Sequence, residues 1–307
     1  MALTQSPFPI GTPGVPWGAT ERLAWRASQV KKRSYADDVL SVIKRLEAKF
    51  DVLQYGSLDY APDGTYPLFA LKSRAWNDSL PTALITGGVH GYETSGVHGA
   101  LLFADRDAAR FAGRVNLIIA PCVSPWAYER IHRWNPDAVD PNRSFKPDGA
   151  AQEALLLMKF VAPWLGKFVM HVDLHETTDS DESEFRPALS ARDGKNFEPG
   201  EIPDGFYLVD DAENPQPEFQ KAIIAAVEKV THIAPADAKG HIIGEALQSR
   251  GVIEYAAKKL GLCSSLSGAR FTTTTEVYPD SPRATPAQCN DAQATAASAG
   301  LEYALRS

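Results

Sequence analysis

The chain is short of cysteine, of long apolar runs and of positive charge, and each shortage excludes a class of protein. Its 307 residues include three cysteines, Cys122, Cys263 and Cys289. An odd, scattered set with no C-x-x-C pair cannot close into a disulfide framework, so a reducing compartment is expected. No window reaches the ~18 uninterrupted apolar residues of a membrane span. Residues 1–17 are rich in proline and glycine and lack a charged segment followed by an apolar run, so they do not read as a secretory signal. Lys plus Arg is 31 against 38 for Asp plus Glu, and a net charge of −7 argues against a nucleic-acid partner. The hydrophobic fraction of 44% and charged fraction of 22% suit an ordered globular chain. A soluble, cytoplasmic protein is expected, with no membrane partner.

Residues 1–34 hold four prolines and little periodicity, so they read as an irregular arm, with one domain over 35–307. Val39, Ile43 and Leu46 recur at helical spacing within 35–50. A hairpin is expected across Pro62-Asp63-Gly64, joining strands near 51–55 and 66–72. Residues 82–86, 115–121 and 168–174 are short apolar runs of the kind that form strands covered on both faces. Helical patterns near 94–109, 152–164, 218–230 and 286–303 alternate with them, and 270–277 is β-branched. This alternation predicts an α/β fold, with a mixed, largely parallel central sheet and helices on both faces. Residues 179–203 read as a polar, irregular excursion inside the domain.

Four places concentrate chemistry. His90 and Glu93 follow a predicted buried strand, where open α/β sheets place ligands. Three residues apart, they can aim an imidazole and a carboxylate at one point, a pairing that suits zinc. A surface histidine beside a helix-capping glutamate has the same spacing. His171, Asp173 and His175 share one strand face. His175 lies nearest the carboxyl end and is the better ligand candidate, whereas His171 reads as a core histidine. Asp140, Asn142 and Arg143 offer either a carboxylate cradle or a stabilised turn. Glu276 ends a β-branched strand, where Glu is unusual, and is either an edge residue or a buried general base.

In this order and at these separations, the four sites resemble the carboxypeptidase A-like zinc carboxypeptidases, the funnelins, over residues 82–279, about two-thirds of the chain. The resemblance implies a zinc carboxypeptidase-like domain over 35–307, with one zinc ion on His90, Glu93 and His175. It implies that Asp140 supports His90, that Asn142 and Arg143 hold a substrate carboxylate, and that Glu276 is the general base. Arg133 stands nine residues before Asn142, at the position of the arginine that polarises the scissile carbonyl, with Arg130 as competitor. The family's carboxylate-capping tyrosine has no counterpart in 243–250, and Tyr255 is out of register. The segments 87–96 and 173–178 also look like aspartoacylase and succinylglutamate desuccinylase, which share the zinc site but cleave N-acyl amino acids.

The expectation is therefore a zinc metallocarboxypeptidase acting on peptides with a free carboxylate. A deacylase of N-acyl amino acids is the alternative, and an inactive binding module the minor one. At this length the catalytic domain would use nearly the whole chain, as in an intracellular enzyme made active. The acidic run 179–184 reads as a solvated loop, with a rim for basic peptides as the sharper possibility and Arg186 beside it. His98, His132, His232 and His241 have no partner pattern and are read as non-ligands. The cysteines are read as small buried residues, and Trp126 and Trp134 as packing or pocket walls.

Overall fold

Short apolar runs buried along nearly their whole length build the centre of the molecule. In a computed structural model, which describes residues 8–307, the strands are β1 (Phe50–Asp59), β2 (Thr65–Ser73), β3 (Thr82–Gly87), β4 (Asn116–Ala120), β5 (Phe168–Glu176), β6 (Tyr207–Asp211), β7 (His241–Ile242), β8 (Glu245–Ala246), β9 (Val252–Tyr255) and β10 (Phe271–Val277). Among the described residues, eight of them form one sheet in the order β1-β2-β4-β3-β5-β10-β6-β9, while β7 and β8 pair as a separate hairpin. β4, β3, β5 and β10 run parallel, as do β6 and β9; β1, β2 and the β6–β10 pair are antiparallel. The expected mixed, largely parallel sheet is present, and so is the hairpin across residues 62–64.

Successive side chains of a strand face opposite sides, and the packing follows that rule. Ala83, Ile85, Leu117 and Ile119 point into one apolar cluster, and Leu84, Ile118 and Ala120 into another. The first cluster is covered by α3 (Thr94–Leu102), α7 (Pro217–Val227) and α9 (Pro286–Ala304). The second is covered by α5 (Gln152–Val161), through Ala154, Leu157 and Val161. α9 starts at a capping box between Thr285 and Gln288, which satisfies two donors of its first turn. The remaining helices are α1 (Ala19–Ser28), α2 (Ser41–Leu46), α4 (Pro125–Arg130), α6 (Arg186–Arg192) and α8 (Ala257–Leu260). No described helix is long and apolar enough to cross a membrane.

Two expectations need correction. The arm over 1–34 is not irregular throughout: α1 lies within it, and Trp17 and Trp25 are buried in the first cluster. Trp25 packs edge-on against Trp134, which outweighs the poor local periodicity. The first seven residues of the arm lie outside the described residues. The excursion over 179–203 contains α6, whose Pro187, Ala188 and Ala191 are buried.

The topology fixes where a site can form. β3 leads to β4 on one side of it, and the chain then crosses back to β5 on the other side. Such a reversal opens a crevice at the carboxyl ends of the strands. His90 and Glu93 follow β3, His175 lies near the end of β5, and Glu276 near the end of β10, so all four converge on that edge.

Candidate active site

The loop from Gly88 to Glu93 turns back sharply enough to aim both of its polar side chains inward. Gly88 has φ +59°, a conformation that costs glycine little. Gly91 lies against α4 so closely that a Cβ there would fall 2.1 Å from Ala127 C and Tyr128 N. Ser124 Oγ and N hold the carbonyls of Val89 and Gly88 at 2.7 and 2.9 Å. On the other side, Gln293 of α9 donates to the His175 carbonyl at 2.6 Å, fixing the end of β5.

His90, Glu93 and His175 are buried, and one ligand atom from each lies within 4.8 Å of the others. His90 Nδ1 is 2.7 Å from Glu93 Oε1, and His175 Nδ1 is 2.9 Å from Glu93 Oε2. The opposite ring nitrogens face carboxylates: His90 Nε2 lies 2.9 Å from Asp140 Oδ1, and His175 Nε2 lies 2.7 Å from Asp173 Oδ2. An imidazole that donates Nε2–H to a carboxylate leaves a lone pair on Nδ1. In that tautomer both lone pairs face the oxygens of one buried glutamate, an arrangement that a metal cation shared by the three groups satisfies. Glu93 Oε2 accordingly makes no hydrogen bond, although it is buried. Two nitrogens and a carboxylate, each imidazole backed by a carboxylate, fit one zinc-type ion.

Across a cavity of about 840 Å³ the other candidates line the same space. Glu276 is there, and burial raises its carboxyl to about 8, with the neighbouring Glu93 and Asp181 adding to the rise and His175 and Arg133 opposing it. Thr177 Oγ1 donates to Glu276 Oε2 at 3.1 Å and lies 2.8 Å from Tyr207 Oη. Arg133 also lines the cavity. Its Nε donates to Asp140 Oδ2 at 3.1 Å and its Nη1 to Tyr92 Oη at 3.0 Å, leaving Nη2 uncommitted among the described residues. Its competitor Arg130 is buried elsewhere, against Trp126, Tyr66 and Asp63. Burial opposes ionisation of Asp140, but Arg133 and His90 more than offset it and hold the carboxyl well below the usual range.

Asn142 and Arg143 line the cavity as a neighbouring pair. Asn142 Oδ1 accepts from Cys263 N at 2.7 Å, which turns the amide NH₂ away from that backbone. Arg143 makes no salt bridge with any described residue. His171 is buried on β5, with Nε2 3.0 Å from Thr86 Oγ1. Trp126 and Trp134 are fully buried and do not line the cavity, and all three cysteines are buried.

Tyr255, out of register in the sequence for a capping tyrosine, nevertheless lines the cavity, and Tyr207 lines it with no mark in the pattern. Tyr255 reaches the cavity from the end of β9, and burial, followed by Glu245 and Glu276, pushes its phenol up to about 12. Tyr207 stands on β6, a strand too short to show a period. Within the acidic run, Asp179 and Glu184 are exposed, but Asp181 is buried, contrary to a wholly solvated loop. It accepts from Tyr92 Oη and Thr178 N at 2.9 Å each, because the chain turns inward there to form one wall. The inward turn shows in sequence only as Phe185 and the apolar residues of α6.

The succinylglutamate desuccinylase/aspartoacylase catalytic domain matches residues 79–195. No curated protein matches the chain. Among solved structures, a candidate metallopeptidase of Shewanella amazonensis is 21% identical, with a TM-score of 0.65 over 90% of this chain and 98% of that one. A metallo-carboxypeptidase of Burkholderia cenocepacia is 14% identical, with a TM-score of 0.59 over 88% of this chain and 69% of that one. Carboxypeptidase A of Helicoverpa armigera is 14% identical, with a TM-score of 0.60 over 94% and 79%. The chain therefore has the fold of the zinc carboxypeptidase and succinylglutamate desuccinylase/aspartoacylase superfamily, and at its strand ends it carries a buried His-Glu-His set suited to one metal ion.

Proposed function

We propose that the protein is a zinc-dependent hydrolase that cleaves an amide bond next to a free carboxylate, and that its substrates are the C-terminal ends of peptides. One observation carries this reading: His90 and His175, with Glu93 buried against both, line the same cavity as Glu276, Arg133, Asn142 and Arg143. Zinc held by His90, Glu93 and His175 would supply an acidified water and a Lewis acid for the scissile carbonyl. Glu276, anchored by Thr177, takes the proton of the attacking water and returns it to the leaving amine. Arg133 Nη2, the donor left free, stabilises the oxyanion, a contribution of ~2.7–4 kcal/mol per donor in comparable sites. Asn142 and Arg143 dock the terminal carboxylate, and that anchor restricts cleavage to the last bond. Asp140 orients His90 and Arg133 together.

The cavity is as large as the sites that hold drug-sized ligands, ~300–1,000 Å³, and so has room for a peptide end. The second reading is a deacylase of N-acyl amino acids, favoured by the catalytic-domain match over 79–195. Side-by-side assays of zinc-loaded protein on blocked dipeptides, longer peptides and N-acyl amino acids decide between them. Release of the last residue from longer peptides is expected. Turnover of N-acyl amino acids alone would favour the deacylase, and no hydrolysis of any of them would reject both.

A further inference from the structure

Two of the three metal-ligand candidates lie in a stretch between β3 and α3 that has no regular structure of its own, so something outside it must set their spacing. One group that does so comes from the arm, about sixty residues earlier in the chain. Arg33 Nη2 donates to Gly91 O at 2.6 Å, Nη1 to Thr94 Oγ1 at 2.7 Å, and Nε to Tyr128 O at 2.6 Å. Its guanidinium carbon lies 3.5 Å from the centre of the Tyr128 ring. Gly91 follows His90 and Thr94 follows Glu93, so two of these bonds fall on the residues directly after the two ligand candidates, and the third ties them to α4. Each nitrogen of one rigid, planar fork has its own acceptor, a geometry that a lysine ammonium cannot reproduce.

The segment carrying Arg33 is itself held in place. Lys32 N and Arg33 N donate to Glu129 O at 2.7 and 3.1 Å, and Tyr35 N donates to Glu129 Oε1 at 3.0 Å. Arg33 does not line the cavity. We propose that Arg33 is a positioning residue for the metal centre, fixing Gly91 and Thr94 so that His90 and Glu93 are presented at ligand spacing. The proposal rests on the reading of His90, Glu93 and His175 as metal ligands.

The test compares the full-length chain with Arg33→Ala, Arg33→Lys and Thr94→Val. Zinc affinity is measured by competition with a chromophoric chelator, and thermal unfolding and circular dichroism are recorded on the metal-free proteins. Arg33→Ala is expected to fold and to bind zinc at least ~10-fold more weakly, as loss of a group that orients ligands does. Arg33→Lys should fail to restore the affinity, and Thr94→Val should lose part of it. A folded Arg33→Ala with wild-type zinc affinity, its defect confined to a lower melting temperature, would show that Arg33 only fastens the arm and would overturn the proposal. If Arg33→Ala does not fold, the other two variants decide by the same criterion. Failure of the wild-type chain itself to bind one zinc ion would instead reject the metal centre, and the positioning role with it.

Discussion

Asp140 and His90 meet at 2.9 Å, Oδ1 to Nε2, and the other carboxylate oxygen of Asp140 accepts from Arg133 at 3.1 Å. One carboxylate thus sets both the tautomer of a ligand candidate and the aim of the cavity arginine. Asp140→Asn keeps the size but weakens both bonds. It is expected to bind zinc ~10–100-fold more weakly and to lose turnover beyond what zinc saturation restores, because Arg133 is released as well. Zinc titration followed by assay at saturating metal checks both parts. Full rescue by zinc would remove Arg133 from the account.

Glu276 is held by Thr177 rather than by the ligand candidates, so its chemistry can be separated from metal binding. Glu276→Gln should lower the turnover rate ~10²–10⁴-fold, the usual worth of a positioned general base. Zinc content by elemental analysis should stay at one per chain. An unchanged rate would remove Glu276 from the mechanism. Thr177→Val, which frees the carboxylate to rotate, should lower the rate less and leave KM nearly unchanged.

Arg143 has no salt-bridge partner among the described residues, so its charge is available to a ligand. Arg143→Ala should raise KM for substrates with a free terminal carboxylate by one to two orders of magnitude, roughly the ~1.5–3 kcal/mol of a charge-assisted hydrogen bond. Substrates amidated at that end should be cleaved poorly by both proteins and distinguish them little. An equal loss on both substrate types would place Arg143 outside carboxylate recognition.

The sequence exposed some of this architecture and hid the rest for identifiable reasons. β3 and β4 are short apolar runs buried throughout, and β5 has one apolar face through Phe168, Met170, Val172 and Leu174, so all three stand out against polar turns. β6 and β9 have five and four residues, too few for a period to show. The same contrast holds in the cavity. His90 and Glu93 are separated by one turn of chain, and His175 and Glu276 interrupt apolar or β-branched strands, so each leaves a local mark. Arg33 and Tyr207 carry none, and Tyr255 is out of register, because all three are brought near the site by pairings that close only in the folded chain. Arg33 meets its three acceptors across 58, 61 and 95 residues. Trp25 was obscured in the same way: its burial depends on Trp126 and Trp134, a hundred residues away.

His132 offers a test of the scaffold that does not involve the reaction. It is buried, edge-on to Trp25 at 4.9 Å, and its Nδ1 accepts from Trp134 N at 3.2 Å. Burial, helped by Lys32 and Arg133, lowers its pKa to about 3. The unfolded chain takes up a proton on this ring near pH ~6.5, which the folded chain does not. The unfolded state therefore binds more protons between about 3 and ~6.5, and stability must fall as the pH drops through that window. The slope from this one group is at most ~1.4 kcal/mol per pH unit. Urea unfolding of the metal-free chain at pH 7, 6 and 5 should show the decline. His132→Gln, which keeps an acceptor for Trp134 N but has no titrating group, should be less stable at pH 7 and lose less on acidification. Parallel pH dependence in the two proteins would mean that His132 is not what ties the N-terminal aromatic cluster to neutral pH.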